Sequence, residues 1–196
     1  MAILKLENEM SDSVNKERAV ISSLINHHFC IENAPQNSIL EVLNSSNTEV
    51  KELGKQFDWD FLSDENSKNA TKPFILFNEV NKWSYLIWNV WDFEETKQMT
   101  LFLSKELNTT VYYFFVDPWI ATCRWVLADN GNLLTSYYES HGSILDNDGN
   151  SEKGKILNPE DDFESKFWNI YNSLCPSIEV LNKEQNVTLT KGYLSR

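Results

Sequence analysis

The stretch from Thr109 to Gly142, TTVYYFFVDPWIATCRWVLADNGNLLTSYYESHG, decides how this chain folds. Thr109 to Val116 is β-branched or aromatic throughout, the composition that fits a pleated, packed surface. Pro118 has no backbone N–H to give to a ladder and stops the strand. Ala121 to Ala128 and Leu133 to Glu139 are joined by Asp129-Asn130-Gly131-Asn132, which supplies the positive φ angles of a two-residue hairpin. Consecutive strands joined by such short turns run antiparallel.

Working outward, Ser143 to Leu145 adds a short strand that Asn147-Asp148-Gly149-Asn150 ends. Upstream, PFILFNEV (73–80) and WSYLIWNVW (83–91) flank a tight turn at Asn81-Lys82. Their almost unbroken apolarity predicts a strand pair covered on both faces. Asp92-Phe93-Glu94-Glu95 reads as a helix cap with an acid three residues on. Phe93, Met99, Phe102, Leu103 and Leu107 then share one side of a helix over Phe93 to Leu107. Downstream, Asn158-Pro159-Glu160-Asp161 reads as a helix start, and Phe163, Phe167, Ile170, Tyr171 and Leu174 form its apolar face. Pro176 ends that helix, and Ser177 to Arg196 has weak strand character.

Nearer the N-terminus, Ile3 to Leu6 reads as a short edge strand. Val14, Ile21, Leu24, Ile25 and Phe29 fall at helical spacing, predicting a helix from Val14 to Phe29. His27 and His28 then stand at its end, favoured by the C-terminal dipole. Ser38 with Glu41, and Ser46 with Glu49, read as capping boxes of two short helices, with Gly54 near the end of the second. The assembled expectation is an α+β fold: a mainly antiparallel sheet with helices packed on it, in the order helices-β-β-α-β-β-β-α. It treats residues 1–196 as one domain, with an N-terminal helical part (1–62), a sheet with helices (73–175) and a C-terminal tail (176–196).

Seventeen basic against 29 acidic residues give a net charge of −12. Such a surface repels phosphate backbones and anionic lipid heads, so neither nucleic acid nor membrane is expected as a partner, while a basic protein would be attracted. Cys30, Cys123 and Cys175 form no CxxC pair, the usage of a reducing compartment. MAILKLENEM carries no signal-peptide run and no window reaches the length of a membrane span, so a cytoplasmic location is expected.

No GxSxG, P-loop, GxGxxG, HExxH or paired CxxC occurs, so no catalytic residue, metal or cofactor is assigned. Asp146-Asn147-Asp148-Gly149-Asn150 spaces oxygens like a calcium loop, but Ser151 and Leu157 stand where that loop needs Gly and Glu. A turn explains the same residues. Asp161, Asp162, Glu164 and Lys166 resemble a nuclease carboxylate set with its lysine, yet acids are also what a helix start favours. Cys123 lies beside Arg124, although strand alternation turns the two to opposite faces. Ser140-His141-Gly142 at a strand end is the place for an exposed site residue.

The segment FLSKELNTTVYYFFVDPWIATCRWVLADNGNLLTSYYESHG (102–142) resembles the central helix–strand–hairpin unit of small, acidic immunity proteins from bacterial toxin–immunity systems. The likeness lies in its order: a helix, a strand ending in Asp, a Trp-bearing strand, an Asn-Gly turn and an aromatic strand. It implies a non-enzymatic cytoplasmic protein that neutralises a basic toxin domain by covering its active site. Residues on loop and hairpin ends are the candidate contacts: Asp117, Trp119, Glu139, His141, Asp146, Asp148 and Glu152. The alternative expectation is a small hydrolase or nuclease that uses His141 with Glu139 or Asp117.

Overall fold

In chain order the elements are β1 (His27–Glu32), α1 (Gln36–Ser45), β2 (Lys51–Gly54), β3 (Thr71–Phe77), β4 (Trp83–Trp88), α2 (Phe93–Glu106), β5 (Thr110–Asp117), β6 (Thr122–Asp129), β7 (Asn132–Ser140), β8 (Ser143–Asp148), α3 (Phe163–Leu174) and β9 (Leu189–Ser195). The computed structural model describes residues 27–45, 51–54, 71–88, 92–155, 161–174 and 189–195. The strands form one nine-stranded sheet in the order β2-β9-β3-β4-β1-β5-β6-β7-β8, antiparallel at every pairing. The fold is α+β, with the sheet as its larger part.

The strands β5–β7 follow the expected pattern, while β8 runs past Leu145 to Asp148, into the residues expected to end it. Asn130 (φ 49°) and Gly131 (φ 79°) make the left-handed turn between β6 and β7. Asn81 and Lys82, both at positive φ, turn β3 into β4. Each face of the sheet is covered. On one, α3 lays Phe167, Ile170 and Tyr171 over Tyr85, Phe114, Trp125 and Tyr137. On the other, Ile39 and Leu43 of α1 and Leu103 of α2 cover Phe29, Leu76, Tyr113 and Val126. Burial on both sides is why the β4 sequence is apolar without alternation.

Helix α2 is capped by Asp92, whose Oδ1 accepts from the Glu95 N–H at 2.8 Å. Its closest contact with the sheet runs through Thr96, Thr100, Leu103 and Ser104, all buried. The hydroxyls of Thr96 and Thr100 donate to carbonyls four residues back, and Ser104 to the Thr109 carbonyl, so no polar group is stranded. Phe93, Met99, Phe102 and Leu107 pack around that contact, half-buried.

Three local expectations are corrected. Residues 27–29 are not the end of a helix: HHFCIE is a strand inserted between β4 and β5, with ladder partners on both sides. An apolar run buried on both faces has no periodicity to separate it from a buried helix. Helix α1 begins at Gln36 rather than at a Ser38 cap, because the Pro35 carbonyl already takes the Ile39 N–H and so starts the first turn. Lys51–Gly54, expected near the end of a second short helix, is an edge strand on β9; pairing with a segment far along the chain overrides the local cap signal. The expected strand at 3–6, most of the 14–29 segment, residues 55–62 and the helix start at 158–160 lie outside the described residues. Asp162 caps α3 instead, taking both the N–H and the hydroxyl of Ser165, which lowers its pKa. No helix among the described residues is long and apolar enough to cross a membrane.

His28 is buried between β4 and β5, its ring against Tyr85, Phe114 and Tyr171, with the Tyr171 hydroxyl 3.3 Å from Nε2. His27 faces the other way, edge-on to Tyr113 and Phe115 with centroids 5.5 Å away. It is partly exposed as a residue, but its ring Nε2 is enclosed. That burial, and then the charges of His28 and Arg124, lower its pKa from 6.5 to about 3. Between those values the unfolded chain binds a proton that the folded chain refuses. Stability from neutral His27 is therefore complete above the unfolded value and is lost as pH falls through the window. The loss reaches up to about 1.4 kcal/mol per pH unit. Urea unfolding between about pH 7 and 5, above most carboxylate titration, should give a shallower pH profile for His27→Leu than for wild type; equal slopes would refute this assignment.

Candidate functional site

The β5–β6 turn and the β7–β8 turn lie side by side at one end of the sheet. They are tied by the His141 N–H donating to the Ala121 carbonyl at 2.9 Å and by a 2.8 Å contact between the Thr122 and Ser140 hydroxyls. Asp117 ends β5 and accepts the Trp119 N–H at 2.9 Å, closing a tight loop that Pro118 forces out of the ladder. Ala121 (φ 43°) and His141 (φ 49°) hold the two turns in the left-handed region. The result is a rigid shelf from which the Trp119 side chain projects, 97% exposed.

Ile120 is exposed beside Trp119, and Ile144 and Leu145 on β8 are 56% and 59% exposed. None of these three is among the contacts expected from the sequence. Their signal was Ile144-Leu145 itself, since adjacent residues of a strand point to opposite faces and both cannot reach one core. Asp146 accepts from the Ser136 hydroxyl, and Lys97 of α2 reaches both Asp146 (3.4 Å) and Asp148 (3.5 Å). Asp148 also accepts the Gly149 N–H at 2.7 Å, as a turn requires of it. Glu152 is exposed and pairs with Lys155 at 3.2 Å. The structure thus brings Asp117, Trp119 and His141 to the two tied turns, with Asp146 and Asp148 further along β8 beside Lys97 and Glu152 on the loop that follows.

Glu139 is not among them. It is buried on the α3 side of β7, 3.0 Å from the Lys166 ammonium, and accepts the Tyr137 hydroxyl. Lys166, grouped by sequence with the acids of a helix start, is the buried partner. Cys123 lies opposite Glu139 in the ladder. Burial, reinforced by the Glu139 charge, pushes its thiol up to about 12. Burial and the bond to Glu139 likewise raise the Tyr137 phenol. Cys123 is therefore a protonated core side chain and no nucleophile. Arg124, on the other face, lies between the rings of Phe115 (4.9 Å) and Tyr138 (4.4 Å).

Neither acid proposed to orient His141 is turned toward it. The Glu139 carboxylate is engaged by Lys166 and Tyr137, and that of Asp117 by the Trp119 amide; His141 Nδ1 lies 3.0 Å from the Ser140 hydroxyl. Two clefts, of about 430 and 350 Å³, flank the 147–155 loop, and Lys155 and Lys166 line both. Lys166 is committed to Glu139 and holds α3 to the sheet. The chain thus offers an apolar, acid-rimmed shelf and no catalytic constellation among the described residues. Comparison with protein-family models, curated proteins and solved structures finds no match to the chain.

Proposed function

We propose that this chain is a non-enzymatic binding protein that works in the cytoplasm. Its partner is a basic protein domain, a toxin in the manner of the immunity proteins that residues 102–142 resemble, inhibited by covering its active site. The observation that carries the reading is Trp119, 97% exposed on the β5–β6 turn next to exposed Ile120, with Ile144 and Leu145 also exposed on β8. Large apolar side chains held in water mark interaction sites, and tryptophan is among the residues enriched where interface energy concentrates. The −12 charge would steer a basic partner toward this surface and raise the rate of encounter. Hydrolysis through His141 is the weaker reading, because its ring contacts the hydroxyl of adjacent Ser140 while the Glu139 and Asp117 carboxylates that would orient it are engaged elsewhere.

Trp119→Ala tests the proposal. An exposed side chain contributes little to folding, so stability should change by less than about 0.5 kcal/mol. Loss of an interface anchor costs about 2 kcal/mol or more, equivalent to at least roughly thirty-fold in affinity. The measurement is co-purification with the product of the neighbouring gene, with survival of cells that express that product as the second readout. Wild type should bind and protect, and the variant should do neither. No complex and no protection by wild type would sink the reading.

A further inference from the structure

We infer that β8 is an acceptor edge, onto which an extended basic segment of the partner adds as a further antiparallel strand. The inference rests on the binding reading above and names how that surface is used. β8 ends the sheet, so its outer backbone N–H and C=O groups have no ladder partner among the described residues. Proteins blunt such edges with lysine, proline or a covering element. The sequence of β8, SILDND, holds neither of those residues, and it is exposed along almost its whole length. The devices it does carry are two aspartates and a bulge against Tyr138/Glu139.

Those aspartates select the occupant. A second copy of this chain would bring the same acids and a further −12 charges against β8, so self-pairing is opposed. A basic strand meets the reverse. Lys97 is shared between Asp146 and Asp148 and offsets one of the two charges. The two faces of β8 also differ. Asp146 and Asp148 reach Lys97 of α2, whereas Ile144 and Asn147, with Asp148, Lys155 and Lys166, line the cleft over Tyr137. An added strand thus meets acid on one face and, on the other, a cleft that already holds Lys155 and Lys166, which calls for basic residues on one face alternating with uncharged ones on the other.

The probe is a labelled acetyl-Lys-Val-Lys-Thr-Lys-Val-Lys-amide peptide, added to the full chain. Fluorescence anisotropy reads binding and amide hydrogen exchange reads its place. The expected result is saturable binding with slowed exchange at 143–148. The same peptide N-methylated at every residue keeps its side chains but loses its backbone donors, and should bind at least ten-fold more weakly with no protection. A peptide with Glu in place of Lys should not bind. Absence of protection at about millimolar peptide overturns the inference, as does equal binding by the N-methylated peptide. A dimer of the chain alone that protects 143–148 also overturns it, by making a second copy the occupant. If the neighbouring gene product binds in a Trp119-dependent way while 143–148 exchange freely, strand addition fails and the binding reading stands. Failure of both experiments removes both.

Discussion

Glu139→Ala is expected to destabilise the protein by about 3–5 kcal/mol, the cost of leaving a buried charge without its counter-ion. Glu139 and Lys166 are 6% and 9% exposed and 3.0 Å apart, beneath a helix that touches the sheet through Phe167, Ile170 and Tyr171. Removing the carboxylate orphans two groups at once, the Lys166 ammonium and the Tyr137 hydroxyl. Lys166 also lines both clefts, which gives the orphaned ammonium a route to water and places the loss toward the lower end of the range. For a domain of this size that corresponds to a fall in Tm of about 10 °C. The converse separates charge from packing. Glu139→Leu combined with Lys166→Met removes both charges and keeps the volume, so the double variant should recover most of the loss, as buried pairs replaced by apolar residues do. Calorimetry of wild type, Glu139→Leu, Lys166→Met and the double variant gives the coupling directly. A single variant within about 1 kcal/mol of wild type would mean that the pair is solvated and does not hold α3 to the sheet.

The contrast between this pair and the rim shows what a sequence discloses. The meander was legible because its determinants are local: Pro118, Asn130-Gly131 and the β-branched run act within a few residues. Helix α2 was legible through its Asp92 cap, although its buried face proved to be Thr96, Thr100 and Ser104 rather than the apolar stripe alone. What stayed hidden depends on distant partners. β1 is a strand because β4 and β5 flank it, and β2 is one because β9 arrives from the far end of the chain. The Glu139–Lys166 pair joins residues 27 apart, so Glu139 looked like a rim residue and Lys166 like part of a helix start. The shelf at Trp119 was legible in part. Asp117-Pro118-Trp119 announces a turn, but the exposure of Ile144 and Leu145 follows from the β7–β8 register and its bulge.

The second large effect is expected at Trp125. Its indole is fully buried, stacks on Tyr137 with centroids 4.3 Å apart and an interplanar angle of 20°, and donates Nε1–H to the Gly154 carbonyl at 3.0 Å. Trp125→Ala should cost about 3–5 kcal/mol, through lost burial and the cavity left behind. Trp125→Phe isolates the polar part. It keeps an aromatic ring in the core but leaves the carbonyl of buried Gly154 without its donor, a penalty of about 1–3 kcal/mol. That loss is local in origin. The 151–155 segment folds back over the sheet through three further attachments, Ser151 N–H to the Leu134 carbonyl and the Thr135 hydroxyl to the carbonyls of Ser151 and Lys153. Of the four, the indole bond alone fixes Gly154, whose carbonyl must face inward for the segment to follow this path. In Trp125→Phe, amide exchange at 152–155 should accelerate more than exchange in β5 and β6, which global unfolding governs. Uniform acceleration across all of these segments would instead mean that the indole stabilises the core as a whole and the loop is held by Ser151 and Thr135.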